Sequence, residues 1–283
     1  MAMNPKLLRP KASGVHPEAA AWRTAVIANG GTVSATTMGG VNRFCLSIES
    51  AGLRDRFLRL NLVCGNSLLA ALVPLYLGQS RTATQLGNTT DTNNNFVSGD
   101  YTEATGLQGN GSTKYLITGV NASNLNRNST HLGVYGTNLG DASTGYGSLA
   151  GARDGTANNL IQLDGKNSNV AVNRFFSSAA NSVVVAGSPA ATGGHVIGVS
   201  ASSTDLRVYV AGSSTGITAT DRTSGLLIAQ PIYIFANNFN GSPSDHSAMR
   251  CRAYSFGIGM TAAQVLAFYN ALQTFQTSLG RNA

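Results

Sequence analysis

Charge is scarce in this sequence. Asp, Glu, Lys and Arg make up 11% of its 283 residues, against roughly 25% in an ordinary soluble domain. That excludes a surface laced with ion pairs and leaves solubility to amides, hydroxyls and backbone. Acid is scarcer than base, with 12 acidic and 19 basic residues for a net charge of +7. The basic residues are scattered, and no group is denser than Arg54, Arg56 and Arg59. A nucleic-acid partner is therefore not expected. Cysteine is limited to Cys45, Cys64 and Cys251. An odd count at wide spacing is no disulfide framework. Cys45 and Cys64 lie among apolar neighbours and read as small buried hydrophobes, with a single Cys45–Cys64 bridge as the alternative. No apolar run reaches 18 residues, and the longest, residues 68–77, contains Pro74. Membrane insertion is not expected. The N-terminus is basic but has no continuous apolar stretch, so a secretory leader is not expected either.

What is present is 42% hydrophobic residues and 33 glycines, with abundant Asn, Ser and Thr. That composition suits short strands joined by tight turns. Three blocks follow. Residues 1–21 read as an extended arm broken by Pro5, Pro10 and Pro17. Residues 22–95 read as a small α+β extension. Within it a helix is predicted over 37–51, with Val41, Phe44, Cys45 and Ile48 on one face and Gly52 after its end. Trp22, the single tryptophan, is expected to be buried against that helix, an exposed binding platform being the alternative. A strand is predicted over 57–64 with Leu58, Leu60 and Leu62 on one side. Ser67 is placed to cap a short helix that Pro74 ends. Phe96, Val97 and Tyr101 are the expected anchors of a polar crossing loop.

Residues 96–283 read as the β-domain. Short extended runs recur at 114–118, 131–136, 159–163, 169–174, 183–186, 195–199, 206–210, 226–228, 232–236 and 250–259. Many short strands with turn signals argue for a sandwich or jelly roll. The period then changes. Thr261 and Gln264 have capping-box spacing, Met260 and Val265 are placed as a hydrophobic staple, and Phe268 falls on the apolar face of the helix that follows.

Four segments carry a resemblance: AGLRDRFLRLNLVCGNSLLAALVPL (51–75), GLQGNGSTKYLITGV (106–120), HLGVYG (131–136) and AYSFGIGMTAAQVLAFYNAL (253–272). They resemble concanavalin A-like, or LamG-like, domains of tailed-phage structural proteins. The resemblance implies a mainly β jelly-roll sandwich with a small N-terminal α+β extension. It implies a virion protein, such as a tail fibre, head fibre or capsid decoration component. The expected partners are other virion proteins and further copies of the chain, with a host surface glycan as an alternative function.

Candidate sites are few. Retaining glycoside chemistry needs two carboxyls about 5 to 5.5 Å apart. The only glutamates, Glu18, Glu49 and Glu103, have no carboxylate neighbour at a suitable spacing, so no catalytic residue is assigned and an enzyme is not expected. No cofactor is implied. Calcium is left open, because Asp141, Asp154, Asp164, Asp205, Asp221 and Asp245 fall in turn-rich stretches, but each reads more simply as an Asx-turn or strand-end residue. His16, His131, His195 and His246 are isolated, so no metal ligand is assigned. Tyr101, Tyr146 and Phe239 are the candidate carbohydrate-binding aromatics. Trp22, Phe44, Thr261, Gln264 and Phe268 are assigned structural roles.

Overall fold

The computed structural model describes residues 14–140, 146–155, 159–167, 170–175, 183–185, 193–202, 205–218 and 228–283. The helices are α1 (Pro17–Ala28), α2 (Ala35–Ser50), α3 (Leu68–Ala71) and α4 (Ala262–Ser278). The first strands are β1 (Phe57–Asn61), β2 (Thr92–Asn94), β3 (Tyr101–Thr102), β4 (Gly106–Gln108), β5 (Tyr115–Asn121) and β6 (Thr130–Thr137). Then come β7 (Tyr146–Arg153), β8 (Leu160–Asn167), β9 (Val170–Phe175), β10 (Val183–Val185), β11 (Gly194–Ser202), β12 (Asp205–Val210) and β13 (Ser213–Thr218). The chain closes with β14 (Pro231–Ile234), β15 (Asn237–Phe239), β16 (Ser242–Ser244) and β17 (Arg250–Gly257).

These strands form two stacked sheets, a jelly-roll sandwich. Sheet A has the order β13-β12-β11-β6-β17-β4-β3, with β1 also paired to β17. Sheet B has the order β10-β9-β8-β7-β14-β5-β2, and β15 and β16 extend it beside β7. Pairing is antiparallel except between β15 and β7. The glycines of the 106–116 segment act as the sequence implies. A Cβ on Gly109 would meet the Ser247 carbonyl at 2.3 Å, and Gly111 has φ +70°, a conformation glycine adopts without steric cost.

The core is double. One half lies between the sheets: Leu132, Val134, Val196, Leu206 and Phe256 of sheet A meet Leu116, Val120, Ala150, Ile161, Leu163, Ile232 and Ile234 of sheet B. The other half lies on the far side of sheet A. There Tyr135, Ile197, Val199, Tyr209 and Ala253 join Trp22, Phe44, Ile48, Val265, Phe268 and Phe275 from the helices. Sheet A is thus a middle layer, and its strands β6, β11 and β17 are buried along nearly their whole length. Strand β5 of sheet B instead alternates strictly, as a sheet with one open face should.

The helices begin where capping chemistry starts them. Thr261 Oγ1 accepts from the Gln264 amide at 3.3 Å, and Gln264 Oε1 accepts from the Thr261 amide at 2.9 Å. Ser34 caps α2 by accepting from the Thr37 amide at 3.0 Å. Ser67 caps α3 in the same way. Phe44 meets Phe268 and Phe275 edge-on, with ring centroids 6.5 and 6.0 Å apart.

Several expectations need correction. The extended arm over 1–21 does not run to residue 21, because Pro17 opens α1. Proline is well suited to the first helical position, where no backbone N–H bond is lost. Residues 1–13 of that arm lie outside the described residues. Trp22 is accordingly helical. It is buried, and its indole donates to the Val73 carbonyl at 3.1 Å. Leu58, Leu60 and Leu62 do not share one side. Leu58 enters the inter-sheet core and the other two enter the helical core, with a register shift between Phe57 and Arg59. Val97 is 61% exposed and anchors nothing. The three cysteines are free thiols. The strand expected over 226–228 lies largely outside the described residues.

The Arg54, Arg56 and Arg59 group is not a basic surface. Arg59 is fully buried and donates to Asp91 at 2.6 Å. Tyr254 also donates to Asp91, at 2.6 and 2.7 Å, and Asn61 does so at 2.9 Å. Arg54 pairs with Glu18 at 2.6 Å. Burial alone would lower the Arg59 pKa, but Asp91 beside it raises it.

Candidate functional site

Sheet A has no free broad face, because the helices seal its outer side. Among the described residues no helix covers the outer side of sheet B. Its floor is built by period-two alternation. Ala150, Ile161 and Leu163 point into the core, so Gly151, Gln162 and Asp164 point outward. Gln162 Nε2 donates to Asp164 Oδ1 at 2.6 Å, and Asn237 Nδ2 donates to Gln162 Oε1 at 3.4 Å. Asn237 lies over Gly151, where an added Cβ would meet its Oδ1 at 2.9 Å. Ser148 pairs with Asp164 across the strands. The Ser148 hydroxyl and Asn237 Oδ1 are buried without a hydrogen-bond partner in the structure.

Aromatic rings continue this face onto β14 and β5. Tyr233 and Tyr115 stack with centroids 5.0 Å apart and planes inclined by 28°. His246 meets Tyr115 edge-on at 6.1 Å. Burial lowers the His246 pKa against the opposing pull of Asp245, and burial raises that of Tyr233. Tyr115 and His246 are half-buried, whereas Tyr233 is nearly covered. The result is a buried polar layer bordered by two half-buried rings, Tyr115 and His246, whose edges are suited to the apolar face of a ligand.

At one end of β7 the parallel return of β15 sets Phe239 beside Arg153. The Arg153 guanidinium lies 4.1 Å from the centre of the Phe239 ring. Phe239 is 38% exposed. Asn240 donates its backbone N–H to the Arg153 carbonyl at 2.9 Å, and its side-chain oxygen accepts from Gln230 at 3.2 Å.

The three candidate aromatics have different fates. Phe239 is at the surface of sheet B. Tyr146 begins β7, placing it on the same sheet by its backbone pairing with Asn167, but its side chain lies outside the described residues. Tyr101 is corrected: it belongs to sheet A, is 6% exposed, and donates its hydroxyl to the Gly65 carbonyl at 2.6 Å. It offers no platform. Asp164 is also corrected, from a turn residue to a fully buried mid-strand one. Asp154 accepts from Asn159 at 2.7 Å, and Asp245 adopts φ +52°. Asp205 starts β12 and pairs with Arg207 at 2.7 Å. Asp141 and Asp221 lie outside the described residues. Among the described residues no group of three or more His, Cys, Asp or Glu side chains is placed to hold a metal ion. The sequence does contain one signal for the floor, the polar alternation of Gln162 and Asp164 within LIQLD.

A second concavity lies on the helical side. A cleft of about 270 Å³ runs between α1 and the segment 74–85, walled by Trp22, Leu75 and Leu77. Its charged pair, Glu18 and Arg54, also borders an adjoining hollow of about 260 Å³.

No protein-family model matches the sequence, and no curated protein is similar to it in sequence. Solved structures do share the fold. A mutant of Trypanosoma rangeli sialidase displaying trans-sialidase activity aligns over 86% of this chain and 39% of its own, at 12% identity and a TM-score of 0.50. The K499G mutant of NanB sialidase from Streptococcus pneumoniae aligns over 56% of this chain at 15% identity and a TM-score of 0.41. This chain spans only 26% of that protein. Domain 4 of AbnA, an extracellular arabinanase from Geobacillus stearothermophilus solved with arabinotriose, aligns over 56% of this chain and 73% of its own, at 12% identity and a TM-score of 0.41. The first of these likenesses bears on the fold, a β-sandwich, and on nothing finer.

Proposed function

We propose that this chain is a non-enzymatic carbohydrate-binding module that presents the outer face of sheet B to a glycan. The observation that carries this reading is the asymmetry of the sandwich. One sheet is sealed by helices, while the other presents half-buried Tyr115 and exposed Phe239 and Asn240 beside a buried polar layer. Aromatic edges take up the C–H faces of a pyranose, and amides exchange hydrogen bonds with its hydroxyls. The test is a glycan array probed with the purified chain, with and without calcium, followed by titration of any hit. Tyr115→Ala is expected to weaken binding at least tenfold while leaving the thermal midpoint within a few degrees. Failure to bind any glycan in either condition overturns the reading.

A second reading, a structural component of a phage particle acting through subunit contacts, draws support from the sequence resemblance and from one feature of the surface. Val15, Ile27, Leu46, Leu69 and Leu266, all 44–55% exposed, sit on or beside the helices. Exposed apolar side chains concentrated on one layer suit a contact with another subunit. Mass spectrometry of purified particles and light scattering of the isolated chain test it. A strict monomer found in no particle fraction would defeat it.

A further inference from the structure

Most described arginines of the interior and its margins have a carboxylate or backbone acceptors within the protein. Arg59 has Asp91, Arg54 has Glu18 and Arg207 has Asp205. Arg281 and Arg252 donate to backbone carbonyls. Arg153 differs. Its guanidinium lies on the Phe239 ring at 4.1 Å, and its Nε is buried with no acceptor. Among the described residues no carboxylate pairs with it, and the adjacent Asp154 accepts from Asn159. Arg54 also stacks on an aromatic ring, Tyr76 at 3.9 Å, but it has Glu18 at 2.6 Å as counter-ion. Stacking fixes the plane of the Arg153 fork without satisfying its donors, and a fixed fork matches an oxyanion in geometry as well as charge. Its backbone carbonyl accepts from Asn240, an exposed amide residue whose side chain meets the half-buried Gln230.

We propose that Arg153, held by Phe239, is the anion-reading subsite of the sheet B face, so that the ligand is an acidic saccharide carrying carboxylate or sulfate groups. This rests on the glycan reading and sharpens it. An anion gains a charge-assisted bond here without displacing an internal partner. The neighbouring amides favour an anion carried on a sugar over a bare one.

Binding of the full chain is measured by calorimetry against four probes: hexagalacturonic acid, dextran sulfate, neutral maltohexaose and inorganic polyphosphate. At least one acidic saccharide is expected to bind tenfold or more tighter than maltohexaose. Arg153→Gln should erase that margin with an unchanged thermal midpoint, Arg153→Lys should keep part of it, and Phe239→Leu should reduce it. Raising salt from about 0.05 to about 0.5 M should narrow it, as screening requires. Maltohexaose bound as tightly as the acidic saccharides, or a margin that survives Arg153→Gln, overturns this inference and leaves the glycan reading standing. Polyphosphate bound as tightly as the saccharides overturns the saccharide half of it. If no saccharide on the array or in this set binds, the glycan reading falls and takes this inference with it.

Discussion

His131 lies wholly inside the protein on β6, its Nδ1 donating to the Ile258 carbonyl at 2.7 Å and its Nε2 3.2 Å from the Ser255 hydroxyl. Both ring nitrogens are occupied in the neutral form, so Nε2 has no need of a proton. Burial, the dominant cause, lowers the His131 pKa from 6.5 to about 4. His195, stacked between Tyr135 and Tyr269, is lowered further, to about 3, again by burial. The consequence for stability has a definite sign. Below pH 6.5 the unfolded chain takes up protons that the folded protein refuses. Stability is therefore full above pH 6.5, declines as the pH falls and stops declining, for His131, below about pH 4. That interval corresponds to about 3 kcal/mol for a single fully shifted histidine. His131→Gln is expected to flatten the dependence of unfolding free energy on pH between 6.5 and 4, measured by urea titration at several pH values. Any overall loss of stability in the variant would not mimic this, because the readout is the slope. A slope identical to that of the parent chain would show that His131 does not stay neutral.

At the scale of elements, α4 starts at Thr261 because reciprocal bonds with Gln264 satisfy two otherwise orphaned backbone groups. Thr261→Ala should cost about 1 kcal/mol and Thr261→Ser close to nothing, read from urea midpoints at constant m-value. An unchanged midpoint for the alanine variant would mean that packing of Val265 and Phe268 alone sets the helix start. This cap was legible in the sequence because its chemistry lies within four consecutive residues. So were β5, β8, β9, β10 and β14 of sheet B, whereas β7, β2, β15 and β16 were not. Helix α1 and the end of β1 were not legible. Pro17 looks like a breaker unless the following turns are known to be helical, and β1 is buried on both faces, so its Arg59 and Asn61 alternate with leucines as if they faced solvent. Site residues divide in the same way. Phe239 could be found from its polar turn, but its partner Arg153 is set by a parallel return after Phe235, which has φ +71°. Tyr101 stands in a similarly polar stretch, yet it is claimed by the Gly65 carbonyl from a different block of the chain.

For the molecule as a whole, the arrangement of three layers makes the N-terminal block and the β-domain parts of one core. Residues 22–95 read from sequence as an extension, but β1 pairs with β17 and α1 and α2 cover the outer face of sheet A. The C-terminus fastens the same layers together. Arg281, 2% exposed, donates to the carbonyls of Leu62 and Val63 on one side and of Arg252 and Glu103 on the other. A fragment covering 96–283 would keep its inter-sheet core and α4. It would nevertheless expose apolar side chains of sheet A, among them Ile197 and Val199, leave Arg281 short of two acceptors, and strip β17 of its pairing with β1. Each buried charge-assisted donor left unpaired costs on the order of 1–3 kcal/mol, and domain stability is only about 5–15 kcal/mol in total. The fragment is therefore expected to bind a hydrophobic dye and to lack near-UV circular dichroism and a sharp unfolding transition. Co-expression with residues 1–95 is expected to restore all three properties through association of the two pieces. A soluble fragment that unfolds cooperatively on its own, with a native near-UV signal, would show that the sandwich holds without its helical layer.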